Sequence, residues 1–216
     1  MHDTVQKLVH IEKLVKSKQT NSRKITIIAV SKTFNLDKIL PLIDYGHLHY
    51  GENKVQEALD KWSEIMKKKP ELQLHLVGKL QTNKVKFALK IFNFIHSVDN
   101  EKLAKKIADE QLKQNKKVKI FIQVNIGNES QKSGVMQKEL LNFYSYCKSL
   151  DLNVIGLMCI PPANENPEPY FKELASLNTN LSLTELSMGM SSDYTQAINN
   201  SSTFIRVGSY IFGERN

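Results

Sequence analysis

The sequence predicts an α/β protein, a closed (β/α)8 TIM-type barrel with an additional N-terminal helix. Eight short strand-like runs recur along the chain, and helical stretches separate them. Strands that alternate with helices form parallel sheets, and eight such units close into a barrel. The alternative is an open doubly wound sheet, which usually carries a glycine-rich turn after its first strand; no such turn follows residue 31. No linker divides the 216 residues, so we expect one domain over 1–216.

Hydrophobic spacing predicts each helix and strand in turn. Apolar residues at helical spacing indicate a helix over 3–18, within an N-terminal segment (1–20) that we expect to pack on the barrel. The predicted strands are 25–31, 47–51, 72–78, 94–98, 118–125, 153–160, 184–188 and 204–208. The predicted helices between them are 36–45, 53–67, 82–91, 100–114, 137–149, 168–178 and 193–199.

The helix over 100–114 has the clearest signals. Asp99 stands where a capping side chain is expected, just before the first helical residue. Leu103, Ile107 and Leu112 are expected on one apolar face of this helix.

Composition and charge exclude several classes of protein. The net charge is +8, but it comes from lysines spread along the chain without interleaved aromatics, so we expect a solvated surface and no nucleic-acid partner. The two cysteines have no metal-binding spacing, and Cys159 is expected in the core. His47 and His49 alternate along one strand without further ligands, so no metal site is predicted. The N-terminus lacks a long apolar stretch, so we expect no signal peptide or membrane span and a cytoplasmic protein.

Lys32 ends the apolar run of the first strand. Side chains alternate along a barrel strand, so Lys32 faces the interior if Ile28 and Val30 do. It then stands at the carboxyl end of the strand, where barrel enzymes place reactive groups. A partly desolvated lysine there has a lowered pKa and can form a Schiff base with an aldehyde or ketone. The alternative is that Lys32 simply begins a solvated loop.

Two later stretches suggest an anion site. Ser191 and Ser192 follow the seventh strand where a helix begins, a position suited to anions, although Ser192 or Asp193 could equally be a plain helix cap. Arg206 lies in the apolar eighth strand, either at the site or closing the barrel mouth by an ion pair. Gly208 and Ser209 follow it, where barrels often bind phosphate. With a Schiff-base lysine on the first strand, the combination describes a pyridoxal 5'-phosphate (PLP) site.

The sequence also resembles a known family from about residue 25 to 215. It resembles the pyridoxal phosphate homeostasis proteins, single-domain relatives of the alanine racemase barrel. The motifs that carry the resemblance occur in order: AVSKT (29–33), YGENKVQEA (50–58), HLVGKLQTNK (75–84), VNIGNESQKSG (124–134), GLMCIPP (156–162), LSMGMSSD (186–193) and STFIRVGSYIFGER (202–215).

The resemblance implies roles for particular residues. Lys32 is the expected partner of PLP in a covalent aldimine, and Arg206 is expected to meet the pyridine nitrogen. Asn53 is expected to line the pocket, with His75 and Gly78 at the same mouth. The expected phosphate cradle comprises Ser187, Ser191, Gly208 and Ser209.

We expect binding of PLP without robust turnover, and hence no catalytic residues. A permanently charged arginine cannot accept a proton, so it leaves the pyridine nitrogen unprotonated and the ring a weaker electron sink. The resemblance implies a role in intracellular PLP (vitamin B6) homeostasis and amino-acid balance, with PLP-dependent apoenzymes as candidate recipients. A weak PLP-dependent amino-acid racemase or lyase is the alternative, with Tyr194 or Lys84 as its acid/base group. Two further alternatives are a cofactor-free Schiff-base aldolase and a basic nucleic-acid-binding module. Both explain less of the combination of Lys32 with the anion site. Without a second domain we expect a monomer.

Overall fold

Eight parallel strands close into a barrel in which each strand pairs with the next along the chain and the eighth pairs with the first. The computed structural model describes residues 1–18, 24–129 and 131–214. The predicted barrel is therefore confirmed, and the open sheet is wrong. The strands are β1 (Thr26–Val30), β2 (His49–Glu52), β3 (Gln73–Leu76), β4 (Phe94–Val98), β5 (Lys119–Gln123), β6 (Val154–Met158), β7 (Glu185–Met190) and β8 (Phe204–Val207).

Helices follow the strands and cover the outside of the barrel. They are α1 (Asp3–Lys18), α2 (Leu36–Asp44), α3 (Val55–Lys68), α4 (Val85–Ile91), α5 (Glu101–Gln114), α6 (Leu140–Ser149), α7 (Glu168–Asn180), α8 (Tyr194–Asn199) and α9 (Ser209–Phe212). α9 has no counterpart among the predicted helices, because four residues are too few to show helical periodicity. Within the described residues, no helix is long and apolar enough to cross a membrane.

The N-terminal helix packs against helices of the outer layer. α1 buries Leu8 and Ile11 completely, and it contacts α2, α8 and α9. Residues 19–20 of the predicted 1–20 segment lie outside the described residues, as does Arg215 of the last motif.

Two details of α5 differ from the prediction. Its cap is Asn100 and not Asp99, since the Asn100 side chain accepts a hydrogen bond from the Leu103 backbone N–H at 2.9 Å. Leu112 is 83% exposed, because five residues after Ile107 a helix has turned well away from the buried face. Gln111 occupies that face instead, and its side-chain oxygen accepts from the backbone N–H of Val118.

The barrel interior contains an apolar layer and, beside it, several buried polar side chains. Ile28 and Val30 belong to the apolar layer, which confirms that this register of β1 faces inward. Phe94, Phe121, Met158 and Phe204 complete the apolar layer. The buried polar side chains include His75, His96, Ser187 and Arg206. Polar groups inside a packed barrel need partners, so these four indicate where the function of the barrel lies.

Replacing Gly156 with alanine is expected to destabilise the barrel. A Cβ atom at Gly156 would lie 1.9 Å from the backbone oxygen of Glu185, so β6 and β7 could pair only after backbone shifts. We expect a loss of at least about 3 kcal/mol of unfolding free energy, measured by urea denaturation.

Gly46→Ala is the matched control. Nothing lies within 4 Å of a Cβ there, and only the positive φ of +98° opposes alanine. Its loss should be about 1 kcal/mol. Equal losses in the two variants would contradict the steric explanation.

Candidate functional site

A cavity of about 560 Å³ opens at the carboxyl ends of the strands. Its lining contains six of the seven residues that the sequence predicts for the site: Lys32, Asn53, Ser191, Arg206, Gly208 and Ser209. They come from the ends of β1, β2, β7 and β8 and the turns that follow them. Since β8 pairs with β1, closure of the barrel brings the two ends of the chain to one cavity.

The seventh residue, Ser187, lies deeper than the prediction places it. It is fully buried in the barrel interior and is absent from the cavity lining. Its hydroxyl oxygen accepts a hydrogen bond from Nη1 of Arg206 at 2.7 Å and lies 2.8 Å from Nδ1 of His96. Ser187 therefore contacts the arginine of the site and not the cavity.

The prediction that His75 and Gly78 line the mouth is wrong. The His75 side chain points into the closed interior, where it is fully buried and hydrogen-bonded to His49 and His96. Val77, which follows the last residue of β3, lines the cavity instead. Gly78 packs against the neighbouring loop, since a Cβ there would lie 2.4 Å from the backbone oxygen of Asn53.

The backbone directly after Lys32 is strained. Thr33 has a φ of +68°, a left-handed conformation that a β-branched residue rarely adopts. Its backbone N–H donates to Glu57 Oε1 at 2.5 Å, which holds the turn in this conformation. Strain of this kind persists only where surrounding contacts enforce it, and it clusters at functional sites.

A buried ion pair holds the residue before Lys32. Lys61 of α3 donates to the backbone oxygen of Ser31 at 2.9 Å and to Glu52 Oε1 at 2.9 Å. The same Glu52 oxygen accepts from the Ser31 hydroxyl at 2.8 Å and from Trp62 Nε1 at 3.0 Å. Because Ser31 and Thr33 are both held, the backbone position of Lys32 is set on each side.

Glu52, Glu57 and Lys61 are functional-site residues that sequence reasoning missed. One signal was available: Glu52 is an acidic residue within a strand-like run, inside the YGENKVQEA motif. A carboxylate in a buried strand requires a cationic or hydrogen-bonding partner. The sequence does not say that this partner is Lys61, one helix away.

Arg206 is almost fully buried beneath the cavity. Its two terminal nitrogens donate to Ser187 Oγ and, at 2.9 Å, to the backbone oxygen of Cys159. Burial lowers the pKa of Arg206 from its ordinary value, yet a guanidinium remains charged in proteins. Among the described residues no ion pair includes Arg206, so the predicted alternative of an ion pair at the barrel mouth is wrong.

Cys159 is buried in the core as predicted, and burial raises its pKa to about 12.

Ser191 links the turn after β7 to the turn after β8. Its hydroxyl oxygen accepts from the backbone N–H groups of Gly208 at 3.2 Å and Tyr210 at 3.3 Å. Asp193 precedes α8, but its carboxylate accepts from the backbone N–H of Met190 and makes no cap bond to that helix. The serine-rich turn is thus tied to the turn after β8, and its role exceeds that of a plain helix cap.

The described residues contain no group of three His, Cys, Asp or Glu side chains that could hold a metal ion. The polar groups of the cavity lining are an amine, a guanidinium, serine hydroxyls and an amide, with one carboxylate, that of Glu214. These groups suit an anionic organic molecule with a carbonyl carbon.

Comparison with known proteins assigns the chain to a family. The family model of the alanine racemase N-terminal domain matches residues 7–216. More narrowly, the chain belongs to the pyridoxal phosphate homeostasis protein family. It is 40% identical to the family member of Aquifex aeolicus over 199 residues, covering 88% of this chain and 86% of that protein. The member from Vibrio cholerae is 34% identical and covers 100% of this chain and 98% of that protein.

Solved structures agree with this assignment. PipY of Synechococcus elongatus, solved with PLP bound, superimposes with a TM-score of 0.82 at 33% identity, covering 94% of this chain and 99% of that chain. Alanine racemase from Clostridium difficile superimposes with a TM-score of 0.75 at 12% identity, but this chain covers only 57% of it. That second likeness shows the shared barrel fold alone.

Removing Lys61 is expected to destabilise the protein by leaving the buried Glu52 carboxylate without its cation. Lys61→Met should lower the unfolding free energy by about 3 kcal/mol in urea denaturation. The double variant Glu52→Gln/Lys61→Met should regain at least about 1 kcal/mol of this loss, because the neutral amide needs no cation.

Lys67→Met provides the matched control, because Lys67 pairs with Glu64 on the surface, where the two side chains are 70% and 75% exposed. Its change should stay within about 0.5 kcal/mol. A double variant no more stable than Lys61→Met would show that charge burial is not the cause.

Proposed function

We propose that the protein binds PLP in this cavity and holds it as a Schiff base on Lys32. The observation that carries the proposal is the convergence of Lys32, Arg206 and Ser191 on one cavity from opposite ends of the chain. PLP binding by a relative with 33% identity over nearly the whole chain supports it. The cavity volume of about 560 Å³ is in the range of small-molecule sites.

Each chemical group of PLP has a suitable partner in the lining. The Lys32 amine can condense with the aldehyde, with loss of water, to give a C=N bond. Arg206 has only donors to offer, which suits an unprotonated pyridine nitrogen. Ser191 uses its oxygen to accept two backbone hydrogen bonds, so its hydroxyl proton can be donated to phosphate. Gly208, whose backbone N–H donates to Ser191, lines the same cavity with Ser209 and Asn53.

We propose that the protein stores and delivers PLP and has no robust turnover. PLP supplies an electron sink for amino-acid chemistry when bound, and that sink is weaker when the ring nitrogen carries no proton. The charged Arg206 cannot accept or pass on a proton there. Neither proposed acid/base group lines the cavity: Tyr194 is buried in the core, and Lys84 lies in the short 3-10 turn Thr82–Lys84.

Storage and delivery of PLP would give the protein a role in PLP homeostasis. It would act as a cytoplasmic monomer that limits free aldehyde and passes PLP to apoenzymes. The racemase alternative has the support of the shared barrel only, at 12% identity.

Lys32→Ala is expected to abolish covalent capture of PLP. The wild-type protein mixed with PLP should show a Schiff-base absorption band, and borohydride should fix the cofactor to the peptide that contains Lys32. The variant should lose both, because no other lysine is among the described residues that line the cavity.

Lys79→Ala is the matched control, since Lys79 is an exposed lysine just beyond the carboxyl end of β3 and does not line the cavity. It should keep the band and the reduced adduct. An equal band in Lys32→Ala, or its loss in Lys79→Ala, would refute the assignment of Lys32.

Ser191→Ala tests the phosphate end of the site. We expect it to weaken PLP binding about tenfold, the effect of losing one charge-assisted hydrogen bond. Binding of pyridoxal, which lacks the phosphate, should change much less. The measurement is a titration of the absorption band with each compound. A similar loss for PLP and pyridoxal would place the phosphate elsewhere.

A further inference from the structure

A row of hydrogen-bonded side chains crosses the barrel interior below the cavity. Ser187 Oγ lies 2.8 Å from His96 Nδ1. His96 Nε2 lies 3.0 Å from His75 Nδ1, and His75 Nε2 lies 3.0 Å from His49 Nδ1. Arg206 donates to Ser187 at the upper end. We call these three rings the histidine chain; it runs from β4 through β3 to β2.

Aromatic packing holds the rings of the histidine chain in place. His96 stacks on Phe121 with ring centres 4.3 Å apart, and His75 stacks on Phe94 at 4.1 Å. Phe204 contacts both histidines from the side. His75 and His96 are fully buried, while His49 is half-buried at the lower end. The rings therefore have little freedom to rotate away from one another.

The hydrogen-bond inventory sets the direction of the protons. Arg206 has no acceptor, so it must donate to Ser187 Oγ. The partners of that oxygen are Arg206 and His96 Nδ1, so the hydroxyl proton is satisfied only if Nδ1 accepts it. His96 then carries its proton on Nε2 and donates to His75. His75 in turn donates from Nε2 to His49.

Burial and the positive charges near both ends of the histidine chain favour the neutral form of each ring. Burial, and secondarily the charge of Arg206, lowers the pKa of His96 well below its ordinary value. Burial, then His96, His49, His47 and Lys119, does the same for His75. Burial lowers the pKa of His49 to about 4, with His47, Lys24 and Lys119 adding to the effect. Lone pairs that all face Arg206 add to the attraction of the Asp193 carboxylate in stabilising this buried cation.

We infer that His96, His75 and His49 are positioning residues that hold Arg206 through Ser187, with every proton of the histidine chain directed away from the guanidinium. The consequence for binding rests on the proposed function, because it assumes that Arg206 meets PLP. The chain fixes the direction of the guanidinium without neutralising its charge, as a carboxylate would.

The proton order can be measured in the protein without PLP. Nitrogen NMR of protein labelled with 15N-histidine distinguishes the two neutral ring forms and the charged form. At neutral pH, His96 and His75 should both be neutral with the proton on Nε2. Ser187→Ala removes the donor to His96 and should let that ring populate its other neutral form. A proton on Nδ1 of either ring in the wild type, or a charged ring, would overturn the inference.

The effect on binding separates positioning from simple core packing. His96→Leu removes the acceptor for Ser187 and should weaken PLP binding about tenfold. His96→Asn places an amide oxygen near the position of Nδ1 and should stay within about threefold of the wild type. Met158→Val removes volume from the same apolar layer without breaking a hydrogen bond of the chain, and it should also stay within about threefold.

Equal losses in His96→Leu and Met158→Val would overturn the positioning role. If His96→Leu does not fold, Ser187→Ala replaces it, with the same tenfold expectation because it too breaks the link to Arg206. If the wild-type protein does not bind PLP at all, the proposed function fails, while the NMR measurement still tests the proton order by itself.

Discussion

The buried charge of Arg206 is the constraint on which the site depends. A guanidinium removed from water must be compensated, and a carboxylate is the usual partner. Here the hydrogen bonds go to neutral acceptors, a hydroxyl and a backbone carbonyl, and the Asp193 carboxylate adds an attraction without forming an ion pair. The positive charge beneath the cavity therefore stays available to whatever binds above it. The Ser187 hydroxyl must then donate its proton to His96. The side chains of the barrel interior therefore also support the site.

Lys32 is held by the opposite means. Its neighbours are fixed by full charges: Glu52 and Lys61 hold Ser31, and Glu57 holds the strained Thr33. These charges lie between the barrel wall and α3, where a buried ion pair is balanced by further hydrogen bonds from a serine and a tryptophan. Charged groups between the barrel wall and α3 thus position the backbone on each side of Lys32. Neutral hydrogen-bonding groups inside the barrel position the Arg206 guanidinium.

Barrel closure joins these two arrangements. β1 and β8 pair in register, with Ile28 opposite Arg206, so that Lys32 ends its strand on the same rim. The rim collects the ends of β1, β2, β7 and β8, while the lower interior remains a packed core. A rigid core beneath a rim of short turns is the arrangement in which barrels place their ligand sites. The shared barrel by itself does not specify turnover, since function lies in the site and not in the fold.

The sequence by itself determined the eight strands and all helices but α9, and it pointed to six residues that line the cavity, because apolar periodicity and position at a strand end are local properties. Three-dimensional packing alone decided the depth of Ser187 and His75, since the register with neighbouring strands sets how far below the rim each inward-facing residue lies. It also decided the pairing of Glu52 with Lys61 and of His96 with His75. These partners lie on different elements, and only the folded barrel brings their atoms within hydrogen-bond distance.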